Sequence, residues 1–142
     1  MSRAGTIRYP DGSRYSGEII DGLPNGKGCF YDYRGDTYTG TFTDGDRHGP
    51  FLVKLRNGDC ISCEYDCDAQ YSDGVISYHS GDVYIGYIQE LEPNGKGTMY
   101  QSDGRILRGS FRDGLLHGKD CEIISPDGTV HTGDYNNGEA LG

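Results

Sequence analysis

The sequence predicts an all-β protein built from repeated antiparallel hairpins, and three observations lead to this prediction. Glycine accounts for 24 of 142 residues, too many for long helices, because each interior glycine costs a helix roughly 1 kcal/mol. The 12 tyrosines, together with the glycines, favour short strands joined by tight turns. Apolar residues make up only 34% of the chain, which suits a thin sheet with a stripe of aromatic contacts better than a thick core.

Tight-turn signals recur at a nearly constant interval. The turn glycines are spaced by 23 residues, with a last interval of 24: Gly12, Gly35, Gly58, Gly81, Gly104 and Gly128. Each ends a stretch such as YPDG, LRNG or QSDG, in which the glycine can take positive φ at little cost. The predicted hairpins lie near 5–20, 28–43, 51–66, 74–89, 97–112 and 121–136. They form one array over 5–142, after a short tail at 1–4.

Strand-like alternation follows each turn glycine. In the first unit Tyr15, Gly17 and Ile19 come three, five and seven residues after the turn, with polar residues between them. Alternate residues of a strand share one face, so the equivalent residues of successive units are predicted to form ladders on one side of the sheet. The opposite face is predicted to be mostly polar. Glycine-rich tails, such as DGLPNGKG at 21–28, are predicted to be a second tight connection to the next hairpin.

The pattern Tyr-x-Gly-x-aromatic-x-x-Gly-x-x-x-Gly-x-Gly at this period resembles the MORN repeat family. The first unit carries it as Tyr15, Gly17, Ile19, Gly22, Gly26 and Gly28, and about six units cover nearly the whole chain. The resemblance implies an elongated, twisted, single-layer antiparallel sheet of stacked hairpins, in which each unit contacts only its neighbours. It also implies a non-catalytic scaffold that binds protein partners, often at the cytoskeleton or cell cortex.

Charge and composition exclude several classes of partner. The net charge of -9 and a pI near 4.7 repel duplex nucleic acid, so no nucleic-acid partner is expected. Phosphoinositide binding, a property proposed for the family, is disfavoured for the same reason. No apolar run reaches the roughly 18 residues of a spanning helix, and the N-terminus lacks the apolar stretch of a signal peptide. Five cysteines, an odd number, favour the reducing cytoplasm.

Two surfaces are candidates for binding a partner segment. One is the ladder face, where aromatic residues such as Tyr38 and Tyr84 would line a groove. The other is an apolar interruption of the polar face, formed by Val83, Ile85 and Tyr87, with Ile106 as the next unit's equivalent of Val83. Shielding of these residues by the C-terminal segment or by a second copy of the chain is the alternative.

No catalytic, cofactor-binding or metal-binding residues are predicted, and the protein is not expected to be an enzyme. Cys60, Cys63 and Cys67 have the spacing C-x-x-C-x-x-x-C, but strand alternation places the first two on opposite faces, where they cannot share one ion. His48 and His117 occupy the repeat position that Asn25 and Asn94 hold elsewhere, which indicates hydrogen bonding in a turn. The unit with the cysteines is the most divergent, and a bend is expected there.

Two alternatives concern the context of the array. The chain stops inside a repeat motif at Gly142, which is compatible with a piece of a larger enzyme. By analogy with MORN-like arrays in other chains, that enzyme would be a SET-domain lysine methyltransferase or a lipid kinase. Self-association through the open edges of the terminal hairpins is also expected, because unpaired strand edges invite pairing.

Overall fold

The computed structural model describes residues 3–141, which form one open antiparallel sheet of fourteen strands. The strands are β1 (Arg3–Arg8), β2 (Arg14–Ile20), β3 (Leu23–Tyr31), β4 (Thr37–Thr43), β5 (Asp46–Lys54), β6 (Cys60–Asp66), β7 (Ala69–Ser77), β8 (Val83–Gln89), β9 (Glu92–Tyr100), β10 (Ile106–Arg112), β11 (Leu115–Leu116), β12 (Gly118–Ile124), β13 (Val130–Asn136) and β14 (Glu139–Leu141). Neighbours in the sheet are neighbours in the chain, except that β10 pairs with both β11 and β12. The predicted fold class, a β-hairpin repeat array, is confirmed.

Two kinds of turn alternate along the array. At the end of the first hairpin, the Gly12 N–H donates to the Tyr9 carbonyl at 3.1 Å and the Tyr9 N–H donates to the Ser13 carbonyl at 2.9 Å. At the opposite end, Asp21 and Gly22 alone connect β2 to β3, with φ of 51° and 78°. Positive φ at both central residues is the geometry of a type I′ turn, which matches the twist of antiparallel strands.

The two-residue connections correct the predicted extent of the glycine-rich tails. Only Asp21 and Gly22 of the stretch at 21–28 form the turn, and Leu23 already begins β3. Gly26 and Gly28 lie inside that strand, where Gly28 pairs with Gly17 across the ladder. Strand β3 is therefore longer than predicted. Its glycines do not turn the chain, and they leave space for the side chains of Glu18 and Tyr15 on the adjacent strand.

The limits of the array also differ from the predicted ones. Strand β1 begins at Arg3, so Arg3 and Ala4 pair with β2 instead of forming a tail. Residues 1, 2 and 142 of the predicted tail and array lie outside the described residues. In residues 3–141 the structure has no helix with the length and apolar character of a membrane span.

One face of the sheet, called the inner face below, carries the core. Tyr15, Tyr84 and Ile88 are at most 1% exposed, and the other buried hydrophobic residues pack around them in the predicted ladders. Edge-to-face aromatic contacts run from Tyr15 through Phe42 and Phe51 to Tyr65, with ring centroids 5.0 to 5.3 Å apart. Stacking between units is therefore largely aromatic. The opposite face is called the outer face.

Buried tyrosines lie across glycines of the adjacent strand. The Tyr15 hydroxyl donates to the Glu18 carbonyl at 2.7 Å, and its ring fills the space where a side chain at Gly28 would stand. Tyr84 repeats this arrangement over Gly97. Gly28 in β3 and Gly97 in β9 are thus required by the close approach of a ring.

Side chains at fixed repeat positions accept backbone N–H groups of the next unit, at both ends of the strands. At the hairpin end, Ser13, Asp36, Asp59 and Asp82 accept from Tyr33, Arg56, His79 and Ser102, at 2.8 to 3.0 Å. At the connection end, Asn25, His48, Asn94 and His117 accept from Asp44, Cys67, Asp113 and Asn137, at 2.9 to 3.2 Å. These two rows of inter-unit bonds fix the turns of one unit to the next.

The most irregular pairing lies near the C-terminus rather than in the cysteine-containing unit. Strands β6 and β7 shift register between Ser62 and Tyr65. The pairs β2–β3, β4–β5 and β8–β9 shift at nearly the same repeat position, but there one residue is left unpaired, whereas β6 leaves both Cys63 and Glu64 unpaired with β7. Strand β10, in contrast, pairs first with the short β11 and then with β12, and a further register shift separates Gly118 from Cys121. Cys63 and Asp68 occupy the strand and turn positions that glycine holds in other units, and the bend expected in the cysteine-containing unit stays a prediction.

Candidate partner-binding surfaces

A groove of about 740 Å³ lies on the inner face over the C-terminal half of the array. Its floor is apolar and is formed by core-packed side chains, among them Tyr78, Met99, Leu107 and Leu116. The groove runs across the strands, since its lining extends from Leu55 in the third unit to Gly138 in the last, and residues of the hairpin turns and of the opposite two-residue connections line its two sides. It is thus an elongated site with an apolar floor and two polar rims.

Charges on the groove are predominantly negative. Four carboxylates and one guanidinium line it: Asp59, Asp82, Glu90, Glu92 and Arg105. The two aspartates follow hairpin turns, and the two glutamates flank the connection between β8 and β9. The sequence analysis did not predict this convergence of carboxylates. The repeat itself holds the signal, because acids recur one residue after the turn glycine at Asp36, Asp59 and Asp82.

Asp59 is the most buried of these acids, at 8% exposed. Its Oδ1 accepts from the backbone N–H of His79 at 2.9 Å and lies 2.8 Å from His79 Nδ1. Burial alone would raise the pKa of Asp59, but the hydrogen bonds from His79 and Asn57 hold that pKa below its ordinary value. Asp59 is therefore an ionised, positioned carboxylate at neutral pH.

Two polar groups lie within the groove beside its apolar floor. Gln101 Oε1 is buried and accepts no hydrogen bond from any residue in 3–141. Burial raises the pKa of Tyr78 to about 12, so its hydroxyl stays protonated at neutral pH. A buried acceptor without a donor costs free energy.

The two inner-face tyrosines predicted to bind a partner do not lie together. Tyr84 is 0% exposed, so its side chain offers no surface and it leaves the candidate set. Tyr38 is half-buried in a separate cavity of about 330 Å³ in the N-terminal half. The Arg47 guanidinium lies 4.8 Å from the Tyr38 ring centroid, and Arg47 Nε donates to Asp68 at 2.7 Å. Tyr38 is thus part of a packed cation–π cluster.

The four outer-face residues belong to a larger apolar surface. Ile85 is 49% exposed, and its neighbour across the ladder, Val75, is 36% exposed. Val83 and Ile106 are half-buried and flank Tyr100, while Tyr87 is half-buried beside Asp73. The row continues across β10, β12 and β13, and it is called the outer stripe: Val83, Tyr100, Ile106, Ile124 and Val130. The sequence alone missed Tyr100, Ile124 and Val130, since only strand register aligns them.

The cysteine motif does not converge on one point. Cys60 faces outward between Lys54 and Ser77, whereas Cys63 is 5% exposed within the inner-face core. Burial raises the pKa of Cys63 to about 11. Cys67 lies beyond the strand in the β6–β7 turn, with φ of 48°. Its pKa is raised by the adjacent Asp66. All five cysteines are free thiols.

Two histidines take the structural role predicted from their repeat position. His48 Nδ1 accepts the Cys67 N–H at 3.2 Å, and His117 Nδ1 accepts the Asn137 N–H at 3.1 Å. Asn25 and Asn94 accept through Oδ1 at the same place in their units. The ring nitrogen and the amide oxygen are interchangeable acceptors here, as the sequence predicted.

The open sheet of stacked hairpins, fixed by inter-unit bonds and grooved on one face, defines a β-hairpin repeat protein. The family model described as MORN repeat matches residues 15–37, 38–50 and 108–119. Three segments of the chain thus match the MORN repeat model, and the resemblance predicted from the sequence is confirmed.

Curated relatives are much longer proteins. The human ALS2 C-terminal-like protein is 32% identical over 91 residues, which cover 60% of this chain and 9% of that protein. Alsin from Rattus norvegicus is 24% identical over 106 residues, which cover 73% of this chain and 5% of alsin. The chain thus corresponds to less than a tenth of either relative.

One solved structure has a distantly related shape. It is the TCP domain of Drosophila melanogaster SAS-4 in complex with a proline-rich motif of Ana2. It shares 15% identity with this chain, with a TM-score of 0.47 over 91% of this chain and 88% of that one. At this level of similarity, nothing about the ligand of this chain follows.

Proposed function

We propose that this MORN-repeat module is a non-catalytic protein-binding scaffold whose inner-face groove holds a basic, amphipathic segment of a protein partner. The observation that carries the proposal is the combination of an apolar floor with acidic rims in one elongated groove. The floor would bury the apolar side of the segment, and the rims would pair with its Lys or Arg side chains.

The chemistry of the groove favours a peptide over a lipid head group or nucleic acid. Phosphate groups would meet Asp59, Asp82, Glu90 and Glu92, with Arg105 as the only opposing charge on the groove. A cytoplasmic location, at the cytoskeleton or cell cortex, is part of the proposal. A flotation assay with phosphoinositide vesicles is expected to leave the protein unbound.

The outer stripe and Ile85 form a second candidate surface. Ile85 and Tyr100 are exposed by 49% and 43% on the outer face, where most other residues are polar. Exposed apolar groups in register across several strands are typical of a protein contact. The partner-binding hypothesis for Val83, Ile85, Tyr87 and Ile106 therefore stands beside the groove as a separate site.

Charge reversal at the groove provides the decisive experiment. Glu92→Lys changes an exposed groove residue, and Glu64→Lys makes the same charge change at an exposed outer-face position of β6. Wild type and both variants serve as baits for affinity purification with mass spectrometry, and captured proteins are then titrated directly. We expect partners to be retained by wild type and Glu64→Lys, and bound several-fold more weakly by Glu92→Lys.

A third bait, Ile85→Ala with Tyr87→Ala, separates the two surfaces. Partners that are lost only by this bait would contradict the groove and assign binding to the outer face. Equal affinity of all four baits would contradict both surfaces. Circular dichroism and thermal unfolding of each bait confirm that folding survives the changes.

A further inference from the structure

Three metal-ligating side chains of different types converge at the connection between β6 and β7. His48 lies on β5, Asp66 is the last residue of β6, and Cys67 is the first residue of the turn. The Cys67 Sγ lies 3.9 Å from His48 Nδ1, and an Asp66 carboxylate oxygen lies 3.7 Å from the same nitrogen. The three ligand atoms all fall within 4.8 Å of one another.

This spacing is close to that of a tetrahedral zinc site. Zinc binds sulfur at about 2.3 Å and nitrogen or oxygen at about 2.0–2.2 Å, which places tetrahedral ligand atoms roughly 3.3–3.6 Å apart. The two separations from His48 Nδ1 need to shorten by only a few tenths of an ångström, and the Asp66 carboxylate and the Cys67 thiol, which lie within 4.8 Å of each other, would move together around the ion. All three residues are exposed, so the turn can adjust and a water molecule can complete the coordination.

Comparison with the other inter-unit junctions shows that the convergence is particular to this one. His117 occupies the position of His48, but Asn136 and Asn137 stand where Asp66 and Cys67 stand here. His117 therefore makes the same backbone contact without a thiol or carboxylate beside it. The His117 junction is a natural control within the same chain.

We propose that His48, Asp66 and Cys67 bind a zinc-class divalent metal ion through imidazole, carboxylate and thiolate. Coordination releases the thiol proton to solvent. It also withdraws the His48 Nδ1 lone pair from the Cys67 N–H, which lies in an exposed turn where water can accept it. The bound ion would hold β5 to the β6–β7 turn and add a metal-dependent clamp between successive units. The proposal uses one cysteine of the C-x-x-C-x-x-x-C motif with two residues outside that motif, so it revises the sequence-based expectation of no metal site.

Cobalt(II) and zinc(II) provide the direct test, on the full chain stripped with chelator and kept reduced. Cobalt reports thiolate coordination through a sulfur-to-cobalt charge-transfer band, and zinc is titrated by calorimetry and by thermal unfolding. We expect one equivalent of either ion to bind, and zinc to raise the unfolding temperature. His48→Asn and Cys67→Asn should abolish the band and the thermal shift, and His117→Asn should leave both unchanged.

The variants are chosen to preserve the fold. Asn25 and Asn94 occupy the His48 position in two other units, and Asn137 occupies the Cys67 position in the last unit. Each substitution therefore introduces a residue that the chain already uses at the equivalent position. Absence of the band in wild type would overturn the proposal. A band that survives Cys67→Asn would also overturn it, because the metal would then be held by another thiol.

Discussion

At the scale of single residues, the close contact of tyrosine with glycine determines where the array tolerates a side chain. The rings of Tyr15 and Tyr84 occupy the space above Gly28 and Gly97, and their hydroxyls donate to main-chain carbonyls. A Cβ atom added at Gly133, in the last full hairpin, would have no neighbouring atom within 4 Å. Glycines at related repeat positions therefore differ in what they contribute.

A matched pair of alanine substitutions tests this difference. Gly97→Ala would force the methyl group into the Tyr84 ring, and we expect the free energy of unfolding to fall by roughly 1–3 kcal/mol, as in overpacked cores. Gly133→Ala should change it by about 0.5 kcal/mol or less. Urea denaturation measures both. Equal destabilisation by the two substitutions would show that ring contact is not the cause.

Asp59 gives a pH-dependent contribution to stability. Its pKa is lower in the folded chain than in the unfolded chain, so the ionised carboxylate stabilises the fold above about pH 4. That contribution is lost as the pH falls through the folded-state pKa. We expect Asp59→Asn to lower the free energy of unfolding by about 1 kcal/mol at neutral pH. The difference from wild type should shrink in urea denaturation below about pH 4. A difference that is independent of pH would contradict this assignment.

At the scale of elements, the sequence predicted the strands and the hairpin turns well because both leave local signals. Alternation marks the strand after each turn glycine, and Gly12 with Tyr9 and Ser13 forms the expected turn. The second connection was predicted too long, because Gly26 and Gly28 look like turn residues although they lie within β3. Glycine is required at these two positions because the side chains of Glu18 and Tyr15 on the adjacent strand lie against them. The sequence around Gly26 and Gly28 contains no sign of this contact between strands.

The interchange of Asn and His at the connections leads to a prediction about these elements. Asn94 accepts the Asp113 N–H at 3.1 Å, as His117 does for Asn137. We expect Asn94→Ala to lower stability by about 0.5–1.5 kcal/mol, because the turn N–H loses its acceptor. Asn94→His should be nearly neutral in thermal unfolding. A loss for histidine as large as that for alanine would contradict the shared role.

At the scale of the whole molecule, the inner-face groove depends on the register between strands of different hairpins, which no local sequence pattern predicts. Asp59 and Glu92 are 33 residues apart in the chain and line one groove only because the hairpins stack in phase. Periodicity placed Tyr84 correctly on the ladder face, but it did not show that this position is sealed within the core. Two of the five residues of the outer stripe were predicted, since Val83 and Ile106 were identified and Tyr100 between them was not.

Sequential pairing of the strands predicts how the molecule responds to truncation. Each strand pairs with its neighbours in the chain, so removal of residues 114–142 takes away the last units without breaking the pairing of β1 to β10. We expect the shortened chain to stay folded, with a lower urea midpoint, because stability in such arrays is close to a sum over adjacent units. Circular dichroism would contradict this if the strand signal disappeared.

The order of the strands also determines how the molecule would carry mechanical load. Antiparallel hydrogen bonds are perpendicular to their strands, and the chain enters the sheet at β1 and leaves it at β14, on opposite edges. A pulling force applied to the two ends would therefore load the bonds of one edge strand at a time and peel it away, instead of shearing a whole ladder at once. The array would extend in steps of one strand, as a compliant tether whose length depends on the tension on it.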